Sequence, residues 1–311
     1  SRHMLIDSRG IDLENWRDAL ESGKKTDISA FIQEILSLNL QNACFCDCTA
    51  SEDITKHYEI LLSSSVSVVT PNKRANSGSL HNYHRLMNIA RELDVPYRYE
   101  TTVGAGLPVI GTIQDLVASG DEILRIEAVL SGTISFIFNN LREGNSFSDL
   151  VTEAKLRGYT EPDPRDDLSA KDIVRKMIIL AREAGFPLEE SLIQVESLVT
   201  KRITDATSIE EFLTLLPEMD EMMRKCYDSA SRSGGALRYV AIVTPMEARL
   251  SLSSFGPDSP FYSLSGTDNM VVITSKRYSQ NPLVIRGPGA GAEVTAGGVF
   301  ADILKTAESY L

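Results

Sequence analysis

The sequence has few of the residues that mark metal centres and secreted, disulfide-bonded proteins. It contains 4 His and 4 Cys in 311 residues, and the histidines are too scattered to form a ligand set or a catalytic triad. Cys44, Cys46 and Cys48 alternate within an apolar run, so they share one face of a strand. We expect buried, reduced structural thiols there, because a metal site would need other spacings and nearby histidines.

The sequence also lacks long apolar runs and basic clusters. No stretch approaches 18 apolar residues and the first residues do not resemble a signal peptide, which predicts no transmembrane helix and a cytoplasmic location. The formal net charge of −12 argues against nucleic acid or an anionic membrane as a partner. Hydrophobic residues make up 42% and charged residues 24%, which is typical of a soluble globular protein with a sizeable core.

The first third of the chain alternates between helix and strand. The patterns predict helices over 28–38, 52–64 and 79–94 and strands over 43–48, 65–70 and 96–103. Strands separated by helices indicate parallel βαβ units, and hence part of a nucleotide-binding domain over residues 1–104. The fingerprint GxGxxG is absent before residue 40. We therefore expect the chain alone to bind nicotinamide nucleotide weakly, and the strand 43–48 to have an exposed edge.

After residue 104 longer helices and separated strands predict an α+β domain over residues 105–285. The predicted helices are 106–119, 133–143, 146–157, 169–185 and 208–232, and the strands are 123–131, 236–245, 248–254 and 270–274. Its antiparallel sheet could pair across a dimer axis. Residues 286–311 form a Gly-rich turn and a closing helix that complete the first domain. The predicted fold class is α/β, an incomplete Rossmann-like parallel sheet joined to an α+β domain.

The segment 158–176, GYTEPDPRDDLSAKDIVRK, is the most informative in the chain. Its two prolines restrict the backbone and predict a stiff acidic loop. Ser169 then predicts a helix start, and Asp172 and Lys176, four residues apart, share one helix face. A carboxylate and an ammonium beside an acidic loop suit a small zwitterionic substrate. The simpler interpretation is that Asp172 caps the helix and pairs with Lys176 at the surface.

Three other segments could carry chemistry. Lys73 follows the strand 66–69, at the carboxyl end where α/β sheets bind ligands, although a solvated basic turn is equally possible. After Glu100 comes TVGAGLP, whose carbonyl oxygens could hold a cation, but an ordinary strand-to-helix turn is the simpler interpretation. The segment LSGT, 130–133, opens a helix and could bind a carboxylate or the nicotinamide end of a cofactor, or could only cap the helix.

The motifs DCTAS, TPNK, TVGAGLP, LSGT, GYTEPDPRDDL and RGPGAGAEVTAGGVFAD occur in this order. With them the chain resembles the homoserine dehydrogenases, especially the dehydrogenase part of bifunctional aspartokinase-homoserine dehydrogenases, from about residue 10 to residue 307. The resemblance implies interconversion of L-aspartate 4-semialdehyde and L-homoserine with NAD or NADP, a homodimer or higher homo-oligomer, and an upstream aspartokinase domain. Ala170 replaces a glycine usual in the family, and Arg2 would favour NADP if it flanks the cofactor ribose.

The resemblance also implies roles for particular residues. Lys73 and Lys176 would be catalytic, by hydrogen-bonding or protonating the aldehyde oxygen, and Asp167 with Glu161 would hold the substrate ammonium. The implied substrate pocket contains Gly132, Thr133, Tyr159, Glu161, Asp167 and Asp172. The implied cofactor contacts are Thr49, Ala50, Ser51, Lys73, Gly289, Gly291 and Glu293. A sodium ion would be held by Glu100 and by the backbone of Val103, Ala105 and Leu107.

Two alternatives to an active enzyme of this family stay open. The chain could be a non-catalytic fragment of a longer bifunctional enzyme that keeps only the substrate-binding and dimerisation parts. It could also be a different amino-acid-linked dehydrogenase, but such an enzyme would lack the loop GYTEPDPRDD.

Overall fold

The first elements form a small ribbon ahead of the main sheets. The structure, a computed structural model, describes residues 3–311, so the expectation for Arg2 lies outside the described residues. Strand β1 (His3–Met4) pairs antiparallel with β2 (Lys24–Lys25), and helix α1 (Trp16–Glu21) lies between them in sequence. None of these three elements was predicted, because each is too short to show a hydrophobic period.

The first domain contains a three-stranded parallel sheet. Its order is β3 (Cys44–Cys46), β4 (Ser67–Val69) and β5 (Tyr97–Arg98). The surrounding helices are α2 (Ile28–Ser37), α3 (Glu52–Thr55), α4 (Tyr58–Ser63), α5 (Arg74–Ser77) and α6 (Leu80–Glu92). The predicted parallel βαβ arrangement is confirmed. Two boundaries were wrong: the helix predicted over 52–64 is two helices, and the last strand stops at Arg98, before a 3-10 turn over Glu100–Thr102.

The cysteines of β3 lie on the solvent side, so the prediction that they are buried was wrong. Phe45 is buried against the helices, whereas Cys44, Cys46 and Cys48 are exposed. They do share one face, with the sulfur atoms of Cys46 and Cys48 3.6 Å apart. Alternation in a strand defines two faces but not which of them packs on the core. In this sheet Phe45 takes the core side, and β3 is an edge strand as expected.

The second domain contains a six-stranded mixed sheet. Its strands are β6 (Ile123–Val129), β7 (Gln194–Val195), β8 (Ala236–Val243), β9 (Ala248–Phe255), β10 (Asp268–Ser275) and β11 (Leu283–Pro288), in the order β11-β10-β6-β8-β9-β7. All neighbouring pairs are antiparallel except β7 and β9. Strands β7 and β11 were not predicted.

Most of the helices of the chain belong to this second half. They are α7 (Ile110–Ala118), α8 (Gly132–Asn140), α9 (Phe147–Leu156), α10 (Pro164–Leu168), α11 (Lys171–Glu183), α12 (Lys201–Thr204), α13 (Ile209–Leu215), α14 (Asp220–Arg232) and α15 (Ala292–Glu308). The helix predicted over 208–232 is interrupted by a 3-10 turn at Leu216–Met219, where Pro217 removes a backbone donor. No helix among residues 3–311 is long and apolar enough to cross a membrane.

Two contacts hold the second half of the chain against the first. The buried carboxylate of Glu183, at the end of α11, accepts hydrogen bonds from the hydroxyls of Tyr99 at 2.6 Å and Tyr83 at 3.1 Å. Helix α15 returns to the parallel sheet, where Asp302 accepts the backbone N–H of Glu100 at 3.0 Å. These contacts fix α11 and the turn before α15 relative to the carboxyl ends of β3 and β4.

Candidate active site

The acidic segment folds differently from the predicted stiff loop. Residues Pro164–Leu168 form the short helix α10, and Asp163 caps it by accepting the N–H of Arg165 at 3.0 Å. Helix α11 begins at Lys171, and the residue before it, Ala170, has a φ of 58°. A left-handed conformation costs a non-glycine residue about 1 kcal/mol. The expected start at Ser169 was therefore wrong, and the sharp backbone turn at Ala170 sets the direction of α11.

Three charged side chains meet at the first turns of α11. The Lys176 ammonium lies 2.9 Å from Oδ2 of Asp172, and the Lys73 ammonium, from the loop after β4, lies 3.4 Å from Oδ1 of the same carboxylate. Lys176 also donates to the carbonyl oxygen of Leu130 at 2.7 Å. The predicted common face of Asp172 and Lys176 is confirmed. Only 10% of the Lys176 side chain is exposed, so the two residues are not an ordinary surface pair.

This charge arrangement shifts the pKa values of its members. Burial acts to raise the pKa of the Asp172 carboxyl, but the ammonium groups of Lys176 and Lys73 hold this pKa well below its usual range. Burial lowers the pKa of the Lys73 ammonium, and Asp172 opposes that shift. Asp172 is therefore an anion between two cations, and burial makes the charged form of Lys73 less favourable than that of an ordinary lysine.

Asp167 is the second carboxylate of the site. Its Oδ1 lies 2.8 Å from the Thr133 hydroxyl, and its Oδ2 accepts the backbone N–H of Glu161 at 2.9 Å. The Thr133 hydroxyl also lies 2.5 Å from the carbonyl oxygen of Tyr159. Burial raises the pKa of the Asp167 carboxyl, and the hydrogen bonds from Thr133 and Glu161 oppose this. The start of α8 and the acidic segment are thus joined around one half-buried carboxylate.

These groups surround a cavity of about 460 Å³, large enough for a small molecule. Its lining includes every residue predicted to bind substrate and two of those predicted to contact the cofactor: Gly132, Thr133, Tyr159, Glu161, Asp167, Asp172, Gly289 and Gly291. Lys176 lines it as well. Glu293 lies outside, exposed in the first turn of α15. A larger cleft of about 870 Å³ beside α14 contains none of the predicted residues.

Thr49, Ala50 and Ser51 follow β3, at the carboxyl end of the parallel sheet and next to the loop that carries Lys73. The Asn72 amide joins the two loops by donating to the Ser51 carbonyl at 2.9 Å and to Oδ2 of Asp47 at 3.0 Å. Parallel sheets bind nucleotides in this position, so the two loops fit a nicotinamide. Sequence reasoning missed Asn72, although it lies inside the motif TPNK.

The turn after Glu100 combines a carboxylate with backbone carbonyls. The two oxygens of Glu100 accept the N–H groups of Ile110 at 2.7 Å and Gly111 at 2.8 Å, and burial raises the pKa of this carboxyl. Within residues 3–311 the carbonyl oxygens of Val103 and Ala105 accept no hydrogen bond, whereas that of Leu107 accepts the N–H of Val109. Two free carbonyls beside a carboxylate fit a hard cation of low charge. Within the described residues no cluster of His, Cys, Asp and Glu side chains could hold a metal ion.

Comparisons with protein families match nearly the whole chain. The family model described as homoserine dehydrogenase matches residues 108–304, and the one described as homoserine dehydrogenase, NAD binding domain, matches residues 4–100. The bifunctional aspartokinase/homoserine dehydrogenase 1 of Arabidopsis thaliana is 47% identical over 99% of this chain but only 34% of its own length. The homoserine dehydrogenase of Emericella nidulans is 40% identical, over 96% of this chain and 85% of its own length.

Solved structures share the fold of this chain. A Candida auris protein of unknown function superposes with a TM-score of 0.93 at 37% identity, and the match covers 99% of this chain and 88% of that one. A hyperthermophilic archaeal homoserine dehydrogenase solved in complex with NADPH gives a TM-score of 0.70 at 25% identity, covering 95% of this chain and 82% of that one. The chain spans about a third of the length of the plant relatives that it matches.

Proposed function

Since the chain belongs to the homoserine dehydrogenase family, we propose that it interconverts L-homoserine and L-aspartate 4-semialdehyde with NAD or NADP. The observation that carries this proposal is the pair of ammonium groups, Lys73 and Lys176, held 3.4 and 2.9 Å from the Asp172 carboxylate beside the cavity. Such a pair can stabilise and protonate an alkoxide. The nearby Asp167 carboxylate suits the substrate ammonium, with Glu161 beside it.

The two lysines are suited to different parts of the proton transfer. Lys176 is fixed by two hydrogen bonds, to Asp172 and to the Leu130 carbonyl, so its remaining N–H can hold the substrate oxygen as negative charge develops there. Lys73, whose ammonium pKa is lowered by burial, can accept the hydroxyl proton of homoserine or return it to the aldehyde oxygen. Asp172 orients both ammonium groups.

A bound nicotinamide would supply the hydride chemistry at the carbon that carries this oxygen. Thr49, Ala50, Ser51 and Lys73 would contact it at the carboxyl ends of the parallel strands. Gly289 and Gly291 would approach it from the turn before α15, and Glu293 from the first turn of α15. The complex of the archaeal relative with NADPH supports a nicotinamide cofactor for the family. The rates of homoserine oxidation with NAD+ and with NADP+ distinguish the two cofactors.

We also propose that Glu100 and the carbonyl oxygens of Val103, Ala105 and Leu107 hold a monovalent cation, with sodium expected. The free carbonyls of Val103 and Ala105 support this. Such a cation would lie where the parallel sheet joins α7, and so would stabilise the position of the first domain against the second.

The wider setting of the chain is also a proposal. The plant relatives support an upstream aspartokinase domain in a longer polypeptide, and the antiparallel sheet supports a homodimer or higher homo-oligomer. A cytoplasmic location stays a prediction from the reduced cysteines, and the names of the plant relatives place those proteins in the chloroplast.

The test is a spectrophotometric assay of homoserine oxidation with NAD+ and with NADP+. It should be run on this chain and on a chimera that adds, before Ser1, the segment preceding the matched region in the Arabidopsis relative. Oxidation by either form supports the proposal, and the faster cofactor identifies the preference. If neither form oxidises homoserine although both bind a nicotinamide nucleotide, the proposed reaction is wrong.

A second candidate is a substrate-binding and dimerisation fragment without activity of its own. It is favoured by the absence of GxGxxG before residue 40, because that turn supplies N–H groups to the cofactor pyrophosphate. We then expect homoserine binding and self-association without measurable NADPH binding. Micromolar NADPH binding by this chain, measured by calorimetry, would contradict this candidate.

A further inference from the structure

Asn269 is a buried amide beneath the substrate cavity that no part of the proposed reaction uses. It lies in β10, where it is paired with Gly287 of β11, and the next residue, Met270, is paired with Val129 of β6. Its side chain shares a face with Val271 and Ile273, which pack into the main core. The amide therefore points toward the helices, on the side of the sheet that carries the cavity.

This amide has no hydrogen-bond partner within the described part of the chain. Only 1% of Asn269 is exposed, and neither its Nδ2 nor its Oδ1 is bonded. A buried amide without partners destabilises a fold relative to an apolar side chain of similar volume, such as leucine. A use for both its donor and its acceptor would explain why an amide occupies this position.

The glycine turn that forms one wall of the cavity lies against this amide. A Cβ added to Gly289 would lie 2.0 Å from both Cγ and Nδ2 of Asn269, so the backbone of Gly289 rests directly on the amide. Gly289, Ala290 and Gly291 line the cavity with Lys176. An amide donor and an amide acceptor therefore lie against a turn that lines the cavity.

The turn has little backbone hydrogen bonding of its own. It has glycines at 289 and 291, and Gly291 has a φ of 127°, which few other residues adopt. In the described chain no backbone hydrogen bond is made by Gly289 or Ala290, while the Gly291 carbonyl already belongs to α15 through the N–H of Thr295 at 3.0 Å. The segment between β11 and α15 is thus held at its two ends and free in the middle.

We propose that Asn269 is a positioning residue that fixes this turn when the cavity is occupied. Its amide would donate to one peptide carbonyl and accept from one peptide N–H of Gly289–Gly291, and so hold the turn against the substrate. The proposal rests on the proposed function for the identity of the ligand, homoserine. It predicts that the amide contributes to affinity in the occupied state without touching the substrate.

The main test compares Asn269→Ser with Asn269→Ala in this chain, by calorimetric titration with homoserine. Both variants leave a similar cavity, but only serine keeps a donor and an acceptor. We expect the alanine variant to bind homoserine about tenfold more weakly than the wild type, as the loss of about 1.4 kcal/mol implies, and the serine variant to recover part of this. Equal binding by both variants would overturn the proposal.

A second measurement separates positioning from simple packing. In the wild type, added homoserine should slow hydrogen exchange of the backbone amides of residues 289–292. In Asn269→Leu, added homoserine should change this exchange little. The same variant should show a larger rise in KM than fall in kcat. Val271→Ala, one position further along the same face, is the control: it should lower the melting temperature but leave the slowing of exchange unchanged.

Homoserine binding also separates the role of Asn269 from the proposed function. If wild-type chain and alanine variant bind homoserine equally well, the role of Asn269 is wrong and the proposed function stands. If the wild-type chain and its chimera neither bind nor oxidise homoserine, the proposed function is wrong.

Discussion

Replacing Asp172 by asparagine tests the central charge arrangement, because the amide keeps the size and removes the charge. About half of the Asp172 side chain is exposed, at 52%, so solvent screens the loss and we expect the free energy of unfolding to fall by only about 1 kcal/mol. Turnover should fall far more, by about a hundredfold to a thousandfold, because both lysines lose the group that orients them.

The pH dependence of Asp172→Asn has a defined sign. Burial lowers the pKa of the Lys73 ammonium and Asp172 opposes this, so the variant lowers that pKa further. In the proposed reaction a neutral Lys73 accepts the hydroxyl proton of homoserine, so the oxidation rate should rise as pH passes through this pKa. The rise should therefore move to lower pH in the variant.

The assay is homoserine oxidation across the pH range, in the form of the chain that supports turnover. The control is Glu221→Gln, which also removes an acid four residues before a lysine, at the 2.7 Å pair of Glu221 with Lys225 on α14. Both of these side chains are exposed and lie outside the cavity, so the control should match the wild type. If Asp172→Asn keeps the turnover and the pH profile of the wild type, the proposed role of Asp172, Lys73 and Lys176 is wrong.

Three further results are expected. Lys176→Ala should lower turnover by at least about a hundredfold while the fold stays intact, and unchanged turnover in a well-folded variant would mean that this lysine is only structural. Activity should differ between sodium, potassium and tetramethylammonium at equal ionic strength, and Glu100→Gln should abolish the difference; equal wild-type rates would exclude the cation. Glu183→Gln should lower the free energy of unfolding by about 1–3 kcal/mol in urea. Burial raises the Glu183 pKa above its usual value of 4.5. Wild-type stability should therefore fall as pH rises from 4.5 to the raised pKa of the folded state, and the variant should lack this slope.

Local spacing predicted the parts of the site that lie within one element. The common face of Asp172 and Lys176 follows from the four-residue interval of a helix, and the lysine after β4 follows from the position of ligands in parallel sheets. The contact of Lys73 with Asp172 depends on how α11 packs against the loop after β4, which no local pattern contains. The left-handed Ala170 was also hidden, because alanine ordinarily favours a helix.

Other errors have the same physical origin. The cysteine alternation predicted one face, but whether that face meets helices or solvent is decided by tertiary packing, and Phe45 took the core side. Strand β11 was missed because it is an edge strand without a fully buried residue, and its sequence LVIRGP does not alternate between apolar and polar residues. Nothing in the sequence identified Asn269. Asparagine is disfavoured in strands, and its burial cannot be known from the sequence.

Because α15 returns to the three-stranded sheet, the segment that carries the six-stranded sheet lies, in sequence, between two segments that contact the three-stranded sheet. The hydroxyls of Ser67 and Tyr310 are hydrogen-bonded, and Arg98 donates to the carbonyl of Lys305 at 3.1 Å. A single cut of the polypeptide cannot separate the two domains, and removing the last twenty residues would damage the parallel sheet rather than the domain that precedes them in sequence. Exchange of the segment that carries the six-stranded sheet between relatives, by recombination or by engineering, must therefore preserve two junctions, near residues 104 and 290, at the same time.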